Sequence, residues 1–151
     1  LSDIIKLIAE NSQIKCFDVT HEIQKIRMIK SPLEIEKLRF ICKLVSEVFE
    51  DLPNWISEGL PLSDLFRTFK IKALTLGVDD TPYLVGAAGA GGYFDIIAPP
   101  NYQPLRNGDI FMLDTGCVWD GYFSDFDRNF ALGHASEKAQ IAHQTLISAT
   151  S

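Results

Sequence analysis

Apolar residues recur along this chain first at helical and then at strand spacing, and the change of period divides it into elements. Leu38, Ile41, Cys42, Val45, Val48, Phe49 and Leu52 fall every three or four positions, which predicts a helix with one buried stripe. Its start is marked by Ser31 as N-cap, Pro32 in the first turn and Glu34 three residues after the cap. Leu62, Leu65, Phe66, Phe69, Ala73 and Leu76 repeat the pattern up to Gly77, a C-cap residue. For both helices the apolar positions predict core packing against a sheet, and no chemistry is assigned to them. Tyr83 to Val85 predicts a short strand, followed by the tract Gly86-Ala87-Ala88-Gly89-Ala90-Gly91-Gly92. That tract is expected to be a substrate-facing or structural loop. It lacks the Lys-Ser/Thr of a phosphate loop, and Tyr93-Phe94-Asp95 after it offers no cation.

From Gly108 to Arg128 the period becomes that of strands. Ile110 to Leu113 is apolar, Asp120-Gly121 is a hairpin turn signal, and Tyr122, Ser124 and Phe126 alternate with Phe123, Asp125 and Asp127. With Trp119-Asp120 as the loop, Asp114 faces Asp125. With Asp120-Gly121 as the loop, Asp114 faces Asp127 and Asp125 lies on the diagonal. Either register gathers three acids on one face, and only a slip of one residue would separate them. Close carboxylates repel, so they need protonation, a cationic partner or a metal to stay ionised. For a single Asp, neutralisation by Arg128 or a nearby Lys is the simpler account. For the set, divalent metal is the economical one. Oxygen ligands suit Mn²⁺, Mg²⁺ or Ca²⁺, and added imidazole admits Zn²⁺, Co²⁺ or Fe²⁺.

The ends of the chain are less regular. Ser2 can cap a helix over 3–10, Ile14-Lys15-Cys16-Phe17 can form a strand, and Asp18 to Lys30 is expected to be a connection. After the hairpin, His134 is placed in a loop and Ser136 caps a helix carrying Ile141, His143, Leu146 and Ile147. His21, His134 and His143 are each assigned a solvated or packing role rather than that of a ligand.

Composition narrows the classes. With 151 residues, 46% of them hydrophobic, the chain can bury one sizeable core. A net charge of −6 and the lack of a Lys/Arg cluster argue against nucleic-acid binding, and no apolar run reaches the roughly 20 residues of a membrane span. Cys16, Cys42 and Cys117 are odd in number and lack CxxC spacing, which points to a reducing, cytoplasmic compartment. The order of elements predicts an α/β arrangement in which helices cover one face of a mostly antiparallel sheet.

The Gly108-Asp109 pair, the strand ending Asp114-Thr115-Gly116, and Gly121-Tyr122 followed by Ser124-Asp125 resemble the first metal-binding segment of the pita-bread metallohydrolases. That family includes methionine aminopeptidase, Xaa-Pro aminopeptidase, prolidase and creatinase. The eleven-residue separation of Asp114 and Asp125 matches its two metal-binding Asp residues. Upstream, Arg27, Lys30-Ser31 and Glu34-Ile35 resemble the lead into the catalytic domain of Xaa-Pro aminopeptidases and prolidases, and Gly59-Leu60-Pro61-Leu62 resembles the loop before its second helix.

The resemblance implies the first half of a pita-bread fold over 28–151, with 1–27 as the end of a preceding domain and its connection. It implies two divalent ions, Mn²⁺ first and Zn, Co or Fe next, with Asp114 holding one and Asp125 bridging both. It implies amide hydrolysis by a metal-bridging hydroxide in a complete, longer protein, of which this chain is an inactive excerpt. The His and two Glu residues that complete the family's site belong to a later half, and no His here is assigned to that place. The family's substrate-facing His would fall at Ile97 or Ile96, so Phe94, Asp95 and Ile97 are expected to shape a different pocket. Asp127 stands where many relatives have Thr and is expected to orient a metal ligand or to pair with a cation. The expected partner is a peptide or small amide, with homodimerisation open. The competing expectations are a creatinase-like hydrolase of a small non-peptide C–N bond and a metal-free protein-binding module.

Overall fold

The computed structural model describes residues 2–11, 13, 17–95 and 98–150. The chain divides into two compact units, Leu1–Leu33 and Glu34–Ser151. The first contains α1 (Ser2–Glu10) and α2 (Thr20–Met28). The helix α2 corrects the expected connection over Asp18 to Lys30. Its signal was faint because none of its residues is buried; the Asp18 carboxylate instead accepts the Thr20 N–H at 2.9 Å, satisfying a free donor at the helix start. That hydrogen bond holds the Asp18 carboxyl below its ordinary value. Of the expected strand at Ile14 to Phe17, all but Phe17 lies outside the described residues, and Phe17 itself is exposed and belongs to no strand.

The second unit is built on α3 (Pro32–Asp51), continued by a 3₁₀ turn at Leu52–Asn54, and α4 (Leu62–Thr75). Both helices follow the apolar stripes closely. In α3, Ile41, Val45, Val48 and Phe49 are buried as expected, Leu44 joins them, and Leu38 and Cys42 are half-buried. In α4, Leu62, Leu65, Phe66, Phe69 and Ala73 are buried, while Leu76 lies beyond the last turn and is exposed. Gly77 takes φ +104°. Its N–H donates to the Leu74 carbonyl and the next N–H, of Val78, to that of Ala73. This is the reciprocal pattern that closes a helix through a left-handed glycine, and it folds Val78 back onto Ala73 in the core.

The strands are β1 (Asp80–Ala90), β2 (Asp109–Trp119), β3 (Tyr122–Phe123) and β4 (Phe126–Ala131), and α5 (Glu137–Thr150) follows. The order is antiparallel throughout, with β2 central, β1 on one side, and β3 and β4 on the other. Asp120 (φ 48°) and Gly121 (φ 79°) form the two-residue turn between β2 and β3. Positive φ at both positions matches the right-handed strand twist. This selects the register in which Asp114 faces Asp127. An ion pair from Lys37 to Asp120 and the Tyr122 hydroxyl donating to Glu34 at 3.1 Å tie the turn to α3.

Phe111, Leu113, Thr115 and Cys117 alternate onto the helix side of β2 and are fully buried there. The helices therefore cover one face of the sheet, as the layer argument predicts. The expected glycine loop is instead the second half of β1, paired residue by residue with β2 as far as Ala90. Gly86 accounts for the difference. A Cβ there would lie 2.1 Å from the Met112 carbonyl oxygen and 2.9 Å from the Phe66 ring. Glycine thus serves close packing in a strand rather than loop flexibility.

Candidate metal centre

The face of the sheet turned away from α3 and α4 is arranged in rows set by register. Val85, Asp114 and Asp127 form one row across β1, β2 and β4; Ala87, Met112 and Asn129 form the next. One row in the other direction, Tyr83 pairs with Gly116, and continuing the β2–β4 register by a residue puts Asp125 opposite Gly116. Asp125 lies in the break between β3 and β4, where Ser124 turns to the buried side. There the Ser124 N–H donates to the Cys117 carbonyl at 2.9 Å. With Ser124 inward, Asp125 is left on the face of Asp114 and Asp127.

Tyr83 is the site residue that the sequence did not reveal. Its hydroxyl donates to Asp125 Oδ1 at 2.8 Å. The ring reaches across because Gly116 has no side chain: a Cβ there would sit 2.3 Å from the Tyr83 ring. A glycine two residues after Asp114 and opposite Asp125 was the available signal, since something must fill the space above it. Burial, followed by the bond to Asp125 and that residue's charge, raises the Tyr83 phenol far above its ordinary value, so it stays a donor.

The carboxylates perturb one another. Asp114 is half-buried and its carboxyl is raised, by desolvation first and then by Asp127 and Asp125. Asp127 is raised by desolvation, with Arg128 opposing and Asp125 adding. The cation partner expected for Asp127 is not supplied by Arg128, its neighbour on the same strand. The Arg128 guanidinium donates to the Asp127 backbone carbonyl at 2.8 Å and lies over the Phe126 ring, 4.9 Å from its centroid. Among the described residues no salt bridge reaches Asp114, Asp125 or Asp127. Mutually repelling oxygen donors in no salt bridge, two of them partly desolvated, fit a divalent ion. They do not enclose one: among the described residues no three His, Cys, Asp or Glu side chains converge closely enough to hold a metal.

A pH dependence follows for the metal-free chain. Carboxyls whose pKa is higher folded than unfolded bind protons more tightly when folded. The contribution of Asp114 and Asp127 to stability is therefore fully present below about pH 4 and is lost as pH rises through their raised folded values. Asp127→Asn removes a like charge facing Asp114, worth roughly 0.2–1 kcal/mol. It is expected to raise the metal-free Tm by about 1–3 °C at pH 7 and by less at pH 4. Thermal melts at the two pH values check this, and an equal or lower Tm at pH 7 contradicts it.

The other candidates lie apart. Phe94 and Asp95 are exposed, and Ile97 lies outside the described residues. His21 is exposed on α2 and His134 is exposed in the loop before α5. His143, on α5, borders a cavity of about 510 Å³ that also touches Tyr93, Ile110 and Asn129. Cys117 is buried on the opposite face of β2 from Asp114. No helix among the described residues is long and apolar enough to cross a membrane.

Residues 36–151 match the family model described as Metallopeptidase family M24. Xaa-Pro aminopeptidase 3 of Rattus norvegicus is 30% identical over 134 residues, covering 85% of this chain and 26% of that protein. Methionine aminopeptidase of Chlamydia muridarum is 26% identical over 127 residues, covering 79% of this chain and 44% of that enzyme. The chain thus spans about a quarter to under a half of these relatives. Among solved structures, the prolidase from Thermococcus sibiricus superposes with a TM-score of 0.85 at 22% identity, over 98% of this chain and 41% of that one. The prolidase from Pyrococcus furiosus gives 0.83 at 20% identity, over 99% and 44%. This likeness shows the fold, the amino-terminal portion of the pita-bread architecture.

Proposed function

Since this chain belongs to metallopeptidase family M24, we propose that it contributes Asp114 and Asp125 as metal ligands to a hydrolase resembling Xaa-Pro aminopeptidase and prolidase. The observation that carries the proposal is the single sheet face that Asp114, Asp125 and Asp127 share, with no salt bridge among the described residues. When bound, divalent ions supply Lewis acidity toward a scissile carbonyl and acidify water at neutral pH. Mn²⁺ is the ion proposed first, and the substrate is a peptide or small amide. Asp114 projects from the centre of the sheet, where β1 and β4 flank its strand and fix its direction. Asp125 is oriented by the Tyr83 hydroxyl, which takes Oδ1 and leaves Oδ2 and the remaining lone pairs for a cation. Asp127 adds negative charge opposite Asp114. Two or three carboxylates are too few for a tight site, so the other ligands are proposed to come from outside this chain.

The test is hydrolysis of Gly-Pro and Leu-Pro dipeptides by the full-length protein. Activity is expected to disappear on dialysis against a chelator and to return with Mn²⁺. Hydrolysis untouched by chelation contradicts the metal reading. Failure to cleave dipeptides while Mn²⁺ is bound contradicts the substrate class.

A further inference from the structure

The row beside the acids is not used by the metal reading, and it is unusual in its chemistry. Asn129 stands on β4 two residues from Asp127 and on the same face, in a strand where Asn is disfavoured. Tyr93 reaches it from the turn that follows β1, its phenol donating to Asn129 Oδ1. A phenol is protonated at neutral pH, so this contact orients the amide with Oδ1 toward Tyr93 and Nδ2 away. Among the described residues no acceptor takes up the two Nδ2 hydrogens. The cavity of about 510 Å³ opens at this pair, walled by Ile110 from the sheet, Gly91 and Gly92 from the turn after β1, and Ala139 and Leu146 from α5. Cavities of roughly 300–1,000 Å³ with mainly apolar walls and a few placed polar groups are typical of small-ligand sites.

Distance ties the cavity to the acids. Two strand residues span about 6.5 Å, and one extended peptide residue about 3.3–3.6 Å. A peptide whose scissile carbonyl lies among the three Asp residues therefore brings its next carbonyl, or its terminal carboxylate, toward Asn129. We propose that Asn129 Nδ2, held in place by the Tyr93 phenol, binds that acceptor oxygen, and that the adjoining cavity receives an apolar side chain of the same substrate. The pair thus selects short peptides with an apolar residue after the bond cleaved, and the inference rests on the hydrolase reading above.

The test uses the Mn²⁺-loaded full-length protein with Asn129→Leu, Asn129→Gln, Tyr93→Phe and Ala139→Phe, assayed on Leu-Pro and Leu-Gly. Asn129→Leu is expected to raise KM about tenfold with kcat within about threefold and Mn²⁺ content unchanged; a lost hydrogen bond of this kind is worth about this much. Asn129→Gln should recover part of the loss, and Tyr93→Phe should raise KM about threefold. Ala139→Phe, which fills the cavity, should raise KM for Leu-Pro and leave Leu-Gly, which has no side chain after the cleaved bond, nearly unchanged. An unchanged KM in Asn129→Leu, or a fall in Mn²⁺ that accounts for its loss, overturns the proposal. Should the wild type neither hold Mn²⁺ nor cleave dipeptides, the hydrolase reading fails first. Leu-Pro binding by saturation-transfer NMR then decides the pair alone: binding lost in Asn129→Leu supports it, and binding absent or insensitive to that change overturns it.

Discussion

Asp125→Ala and Asp114→Ala are each expected to lower kcat/KM of the full-length protein on Xaa-Pro dipeptides by about 10³-fold, with loss of bound metal. The scale comes from what surrounds a ligand as well as the ligand itself. Removing a hydrogen-bond partner that merely orients a metal ligand costs about 10–100-fold, which is the expectation for Tyr83→Phe, whose hydroxyl holds Asp125. Removing the ligand removes both the orientation and the bond, so the Asp variants must fall below it. Their order matters too. Asp125 is exposed and anchored by one hydrogen bond, whereas Asp114 lies half-buried in the central strand, so Asp114→Ala also relieves desolvation and charge repulsion. Its metal-free form should therefore melt no lower than wild type, and loss of activity with an unaltered melt separates a metal ligand from a structural residue.

Gly86→Ala is expected to cost about 3 kcal/mol or more, for a reason unconnected with chemistry. The added Cβ would stand 2.1 Å from the Met112 carbonyl oxygen, which is backbone and held in the β1–β2 ladder, and 2.9 Å from a Phe66 ring carbon. Overpacking typically costs about 1–3 kcal/mol when side chains can yield; here strands must part. At about 2–4 °C per kcal/mol for a chain of this size, the Tm should fall by at least about 6 °C in thermal melts. A fall below about 2 °C would mean that β1 is not seated against β2 as described.

The helices were legible because burial on one side imposes a period, and α3 and α4 have deep stripes ending on Phe49 and Ala73. Asp120-Gly121 likewise announced the turn that sets the acid register. Elements without that signal were hidden. The second half of β1 is nearly side-chain-free, so Gly86 to Ala90 shows no alternation, and its strand state comes from pairing with β2. The helix α2 buries none of its residues, so it leaves no stripe to read. At the site, Asp114, Asp125 and Asp127 could be grouped from spacing alone, because strand geometry turns spacing into facing. Tyr83 and Tyr93 could not, since each meets its partner across about forty residues of chain, and Gly116 is the one local trace of Tyr83.

Metal stoichiometry of the full-length protein, measured by elemental analysis and Mn²⁺ titration beside Asp114→Ala and Asp125→Ala, tests the central claim most directly. The account predicts bound divalent metal in the wild type and its loss in both variants, with each variant folded by its thermal melt. Metal binding of equal stoichiometry and affinity in wild type and variants, or none in the wild type, would contradict it.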